Sequence, residues 1–190
     1  MNVYDFDKTI YPKDSTLELY LVTLLRHPSF LLDLPGGIAA WVRHRRGKIT
    51  TDALRAAFLR SFGRLRDPDA AAERFWAKRK KRIFAYYLAQ RKDDDVVISA
   101  SPEFVLRPIA RELGFGRLIA SRFDPASGKY DGARCYGAAK PPRFLEEVPN
   151  GHIDAFFSDS LSDTPMAELA ERAFIVTKRG ELRPWPKNEK

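Results

Sequence analysis

Residues 1–10 read MNVYDFDKTI: a short apolar run, then Asp5, Asp7 and Thr9 at alternate positions. Residues 1–4 have the character of a buried strand. Two like charges placed one residue apart at a strand end raise each other's pKa, and they need a reason to be there. That reason depends on what the rest of the chain brings to the same point.

After this strand, residues 15–90 read as helix. STLELYLVTLL follows a candidate N-cap, Asp14, and TTDALRAAFLRSF carries apolar residues at helical spacing. HPSF and LPGG are expected to break the pattern, and DPDAAAERFWAKRKKRIFAYYLAQ is expected to form one long amphipathic helix behind a proline. The texture changes after RKDDD. VVISA reads as a buried strand, SPEFVLRPIARELG as a helix closed by Gly114, and LIASRFDPASGKYDGARCYG as a β-hairpin around SGK. KPPRFLEEV predicts a helix, IDAFFSD a strand, TPMAELAERA a helix and AFIVTK a last strand. Strand–helix alternation predicts a parallel sheet covered by helices. The expected fold is therefore α/β, a doubly wound, Rossmann-like core of residues 1–14 and 91–190, interrupted by an all-helical cap of residues 15–90.

The composition narrows the partners. The 190 residues carry a net charge of +8. Residues 15–90 hold 15 Lys and Arg against 6 Asp and Glu, while the rest holds 18 against 19, so the basicity belongs to the helical segment. Such a surface attracts anions: a small substrate, acidic lipid or nucleic acid. A solvated face explains it equally well. The one cysteine, Cys135, excludes an intrachain disulfide and fits a reducing compartment. The sequence shows no signal-peptide pattern and no apolar run near the ~20 residues that span a bilayer. A soluble, cytoplasmic protein is expected.

Ligands of open parallel sheets bind beyond the carboxyl ends of the strands. Three predicted strands end in polar residues: Asp5-x-Asp7-x-Thr9, Ser99-Ala100-Ser101, and Asp159 followed by Asp163. If the strands are neighbours, four carboxylates share one rim and need a cation. Hard oxygen donors point to Mg²⁺. A carboxylate beside Mg²⁺ can attack phosphorus, and a second one two residues on can protonate the leaving oxygen and then activate water.

The order of these pieces resembles the haloacid dehalogenase superfamily of aspartate-nucleophile phosphatases, over nearly the whole chain. DFDKT looks like its first motif, VVISAS its second, Lys140 in CYGAAKPPRF its third and SDSLSD its fourth. The helical insertion and the SRFD…GKYDG…CYG…K stretch place it near the phosphoserine-phosphatase-like branch. The resemblance implies Asp5 as nucleophile and metal ligand, and Asp7 as acid/base whose carbonyl also binds Mg²⁺. It implies Ser101 and Lys140 as phosphate contacts, Asp159 as a direct metal ligand and Asp163 as an acid supporting the metal site. Asp14 and Ser162 match substrate-side positions. The implied activity is hydrolysis of a small phosphate monoester. A phosphotransferase, or an anion-binding protein on the same scaffold, is the alternative, with nucleic acid disfavoured and transient contact with a membrane surface allowed.

Several departures bear on this. Lys8 stands where glycine is common. Ser99 competes with Ser101 for the phosphate, although the spacing to Phe104 favours Ser101. Pro102-Glu103 replaces a Gly-Gly pair; an inward Glu103 would disfavour a substrate carboxylate. Together with the apolar FLLDLPGGIAAWV, this leads to the expectation of a substrate larger or more apolar than phosphoserine. Neither Arg55 nor Arg60 is in register for the branch's substrate-binding arginine. Asp14 reads equally well as a helix cap. Trp41, Trp76, Tyr86 and Tyr87 read as cap core, and His27, His44 and His152 lack metal-ligand spacing.

Overall fold

The computed structural model describes residues 1–186. β1 (Asn2–Tyr4) is followed by five helices, α1 (Ser15–Arg26), α2 (Leu34–Arg45), α3 (Thr51–Leu59), α4 (Pro68–Arg79) and α5 (Ala85–Gln90). Then come β2 (Val96–Pro102), α6 (Glu103–Leu113), β3 (Arg117–Ser121) and a hairpin of β4 (Phe123–Asp124) and β5 (Lys129–Tyr130). The chain continues with α7 (Lys140–Glu147), β6 (Ile153–Ser158), α8 (Thr164–Ala167), β7 (Ala170–Val176) and β8 (Leu182–Pro184).

The main sheet has the order β3-β2-β1-β6-β7-β8. Its first five strands are parallel, as the strand–helix alternation requires, and β8 adds an antiparallel edge against β7. The chain reverses direction across the sheet at β1, between β2 and β6. That switch point is where an open α/β sheet holds its ligand. The fold is thus a doubly wound α/β sheet with helices on both faces. Strand alternation divides the core. Val3, Val96, Ile98 and Phe156 pack with Phe144 of α7 and Met166 of α8. Tyr4, Val97 and Phe157 face the other way, toward Val105 and Ile109 of α6 and the helices of residues 15–90.

These helices share that core with the sheet. Trp76 of α4 is edge-on to Phe6 and Tyr11, with centroids 5.5 and 5.0 Å away, and its Nε1–H donates to the Val105 carbonyl at 2.6 Å. Phe62 stands edge-on to Phe104 at 5.3 Å. Each aromatic pair adds roughly 0.5–1.5 kcal/mol beyond its burial.

Local departures from the sequence reading have physical causes. The run expected as one helix over 68–90 breaks after Arg79 into a 3₁₀ turn, and Ile83 and Phe84 are extended. There the Phe84 N–H donates to the Ile10 carbonyl at 3.0 Å while Ile83 is buried, which ties the chain to the loop after β1. LPGG starts α2 instead of breaking it: Pro35 suits a first turn, and Gly37 lets the Phe58 ring approach where a Cβ would lie 2.7 Å from it. The helix expected over TPMAELAERA stops at Ala167, because Ala170 already pairs with Ile153 in the sheet. LIAS joins the main sheet as part of β3, leaving a shorter hairpin around SGK.

Candidate active site

The site lies where β1, β2 and β6 end. Asp5 directly follows β1 and continues its ladder, its N–H donating to the Phe157 carbonyl at 2.8 Å. Lys140, the first residue of α7, is almost fully buried. Its Nζ donates to Asp5 Oδ1 at 2.8 Å and Asp163 Oδ2 at 2.7 Å. Ser158, ending β6, donates to the same Asp163 oxygen at 2.7 Å. Gly137 makes this approach possible: its φ is +54°, and a Cβ there would lie 3.2 Å from the Ser162 carbonyl. The turn before α7 therefore sits directly on the 160–163 turn.

Asp7 is held from two sides. Its Oδ1 accepts the Ser15 N–H at 2.8 Å, at the N-terminus of α1, and its Oδ2 accepts from the Ser101 hydroxyl. Thr16 Oγ1 donates in turn to Ser101 Oγ at 2.8 Å. The β2–β3 register slips between Ser99 and Pro102, so the intervening residues bulge out of the ladder toward the cavity. Ser99 and Ser101 both line it, and the Ser101 N–H is bonded to Ser99 Oγ at 3.2 Å. Lys8 takes the left-handed conformation that favours glycine, φ +60°, and reaches Asp159 at 3.9 Å.

A cavity of about 250 Å³ joins Asp5, Asp7, Asp14, Lys140, Asp159, Ser162 and Asp163 with both serines. Every sequence-predicted site residue is therefore on one surface. Asp14 is both a cap and a wall: Oδ1 accepts from the Leu17 N–H at 2.8 Å, while Oδ2 lies 4.0 Å from Arg55. Arg55 lines the cavity; Arg60 instead faces Asp33 at 3.8 Å. Glu103 does not line the cavity and pairs with Arg107 at 3.2 Å, so the structure does not turn it inward. The lining is polar apart from Ala100 and the Tyr136 ring, which gives the expectation of an apolar substrate no support.

Burial sets the electrostatics. It pushes the Asp5 carboxyl up to about 7 against the pull of Lys140, with Asp163 adding to the rise. Burial and the Asp14 charge push Asp7 up to about 6. Asp159 is also raised, chiefly by burial. Burial works to lower the Lys140 pKa, but Asp5 and Asp163 outweigh it and hold the ammonium above its ordinary range. One cation shared by two buried carboxylates explains why Lys140 is firmly charged while Asp5 is under-compensated. Asp163 Oδ1 is buried with no hydrogen-bond partner. An unpaired buried carboxylate oxygen beside further aspartates fits a hard divalent cation.

Sequence reasoning missed Arg134 and Tyr136. Arg134 lines the cavity, lies with its guanidinium 4.5 Å from the Tyr136 ring centroid, and donates from Nε to Asp52 of α3 at 2.6 Å. Nothing local marks it among 33 basic residues. Thr16 was legible only as the neighbour of a cap. Trp76 and Tyr87 are buried as expected and Tyr86 is partly buried, its hydroxyl donating to the Thr9 carbonyl at 2.7 Å; Trp41, expected in the core, is 47% exposed. His152, which lacks metal-ligand spacing in the sequence, groups with Asp154 and Glu171 at the opposite rim of the sheet, where His152 and Glu171 are exposed and Asp154 is half-buried.

Comparison with known proteins bears on this geometry. The haloacid dehalogenase-like hydrolase family matches residues 3–168. A probable phosphatase of Mycobacterium tuberculosis is 31% identical over 96% of this chain and 72% of its own length. Among solved structures, a Bordetella pertussis protein of unknown function superposes with TM-score 0.71 at 21% identity, covering 91% of this chain and 87% of that one. A phosphoserine phosphohydrolase-like protein of Francisella tularensis does so with TM-score 0.56 at 15% identity, over 94% and 88%. The rim of aspartates closed by Lys140 thus sits on a known scaffold, and the chain belongs to the haloacid dehalogenase-like hydrolases, as a phosphatase-type enzyme with the fold of their phosphoserine-phosphatase-like members.

Proposed function

We propose that this chain hydrolyses a small phosphate monoester through an aspartyl phosphate on Asp5, with residues 15–90 as the cap that selects the substrate. The observation that carries the reading is the buried Asp5–Lys140–Asp163 group beside Asp7, on one cavity at the switch point. Asp5, Asp159 and the Asp7 carbonyl would hold Mg²⁺, with Asp163 behind them. The unpartnered Asp163 oxygen and the oxygen-only donor set support this assignment. When bound, the ion supplies positive charge against the phosphoryl oxygens and the nucleophile.

The chain's own residues do the rest. Lys140 fixes Asp5 through Oδ1 and adds a positive charge where phosphoryl charge develops. Asp5 attacks phosphorus and the ester oxygen leaves. Asp7, whose carboxyl burial and the Asp14 charge push up to about 6, is the acid placed to give that oxygen its proton. As a carboxylate it then takes a proton from the water that attacks the aspartyl phosphate. Ser15 and Ser101 hold Asp7 in place, and Ser101 is positioned to turn its hydroxyl to a phosphoryl oxygen. Arg55, Arg134 and Ser162, which line the same cavity, are assigned to the rest of the substrate.

The test is hydrolysis of an aryl phosphate with and without Mg²⁺, by wild type and Asp5→Asn. Turnover is expected only in the wild type with the ion, and a beryllium-fluoride adduct is expected on Asp5. Full turnover in excess chelator would remove the metal from the reading, and a phosphoryl group trapped on Ser101 would remove Asp5.

A further inference from the structure

Seven of the thirteen large hydrophobic residues exposed among the described residues fall between Leu17 and Trp41. Leu17, Leu21 and Leu25 form an i, i+4, i+8 stripe on α1. Leu31 and Leu32 lie in the 3₁₀ turn of Pro28–Asp33, and Ile38 and Trp41 share one face of α2 with Arg45, whose guanidinium is 5.2 Å from the Trp41 ring centroid. A chain that builds a dense aromatic core a few residues away has left these side chains in water. All but Leu25 line none of the described cavities, so they protrude and do not form a groove for a peptide.

Within residues 17–48 the charges left exposed are of one sign. Between Leu17 and Lys48 the acids are Glu18 and Asp33. Both are turned inward and neutralised: Glu18 by Arg79 and Arg82, each at 2.9 Å, and Asp33 by Arg64 at 2.5 Å. The exposed basic residues of this segment, Arg26, Arg43, Arg45, Arg46 and Lys48 among them, therefore have no exposed acid of the segment beside them. Protruding apolar side chains on a segment whose exposed cations make no ion pair among the described residues match an anionic lipid surface, with the apolar groups entering the headgroup layer and the cations remaining at its charged level. No helix among the described residues is long and apolar enough to cross a membrane, so the contact would be peripheral.

We propose that the surface of the 3₁₀ turn and α2, centred on Leu32, Ile38 and Trp41, docks the enzyme on anionic bilayers. This assignment does not depend on the phosphatase reading. The experiment is co-sedimentation with vesicles of phosphatidylglycerol and phosphatidylcholine, and with phosphatidylcholine alone, at physiological salt. Wild type is expected on the anionic vesicles, with a blue shift of tryptophan fluorescence. The triple variant Leu32→Ser, Ile38→Ser, Trp41→Ser is expected to bind at least about tenfold more weakly. Its circular dichroism and soluble aryl-phosphate turnover should match wild type, because these side chains are exposed and outside the cavity. Absence of wild-type binding to anionic vesicles would overturn the proposal. So would undiminished binding by the triple variant, which would leave bulk charge as the cause. A wild-type dimer that the triple variant converts to monomer, without lipid binding, would assign the surface to a second copy of the chain.

Discussion

Replacing Lys140 by methionine tests whether the centre is one electrostatic unit. In the wild type a nearly water-excluded ammonium lies 2.8 Å from Asp5 and 2.7 Å from Asp163. Methionine keeps most of the volume and removes the charge and both donors. Two buried carboxylates are left facing each other, with Ser158 the remaining donor to Asp163. Removing one partner of a buried charge pair costs about 3–5 kcal/mol. In a domain of this size that is a fall in melting temperature on the order of 10 °C. Asp5→Asn is the control. Its amide oxygen still accepts from Lys140, and the Lys140–Asp163 pair is left neutral overall, so a change within about 1 kcal/mol is expected. Both variants should lose turnover, but only Lys140→Met should melt early. Thermal unfolding followed by circular dichroism, in excess chelator at neutral pH, separates them. A Lys140→Met melting point matching wild type would refute the view that this lysine neutralises two buried acids.

Three further outcomes follow from the geometry. Asp7→Asn should lower kcat by roughly 10²–10⁴-fold through loss of the proton shuttle, with the Asp5 adduct still forming on an activated aryl phosphate whose leaving group needs no proton. Gly137→Ala should cost about 1–2 kcal/mol and lower activity, since its left-handed φ and the Ser162 carbonyl at 3.2 Å both resist a Cβ; differential scanning calorimetry beside a turnover assay reads the two effects. Arg134→Met should raise KM for a natural substrate more than it lowers kcat, because Arg134 lines the cavity while its side chain bonds Asp52 and stacks on Tyr136 and does not bond Asp5 or Lys140; an unchanged KM across a panel of phosphorylated metabolites would exclude it from substrate binding.

The rim of the site was legible because sheet ends and short motifs are local properties. Asp5 and Asp7 follow a strand by one and three residues, and a parallel sheet fixes which end of each strand faces the ligand. Ser101, Asp159 and Asp163 could be placed on the same logic, whereas Lys140, at the start of a helix, was implied by the family resemblance. Arg134 could not, because its role comes from the Tyr136 ring and from Asp52, 82 positions away in the chain. The same limit applies to the break at Ile83–Phe84. The sequence there is helix-compatible, and only the bond from Phe84 to Ile10 and the burial of Ile83 stop the helix.

Trp41 and Glu103 show how burial depends on the partner surface. Glu103 was expected to matter because it follows the serine of the site, but a helix turns each successive side chain by about 100°, and its first-turn position on α6 sends it to Arg107. Trp41 was expected inside, as one of the aromatic residues of the cap segment read as core. Yet α2 needs only one face to pack on α3: Gly37 and Ala40 are buried, and Gly37 is small enough to admit the Phe58 ring. Small residues occupy the packed face and large ones the exposed face, which reverses the usual pattern of a surface helix. That reversal, on a segment whose acids are both neutralised internally, gives the 3₁₀ turn and α2 the character of an interface and not of an ordinary solvated surface.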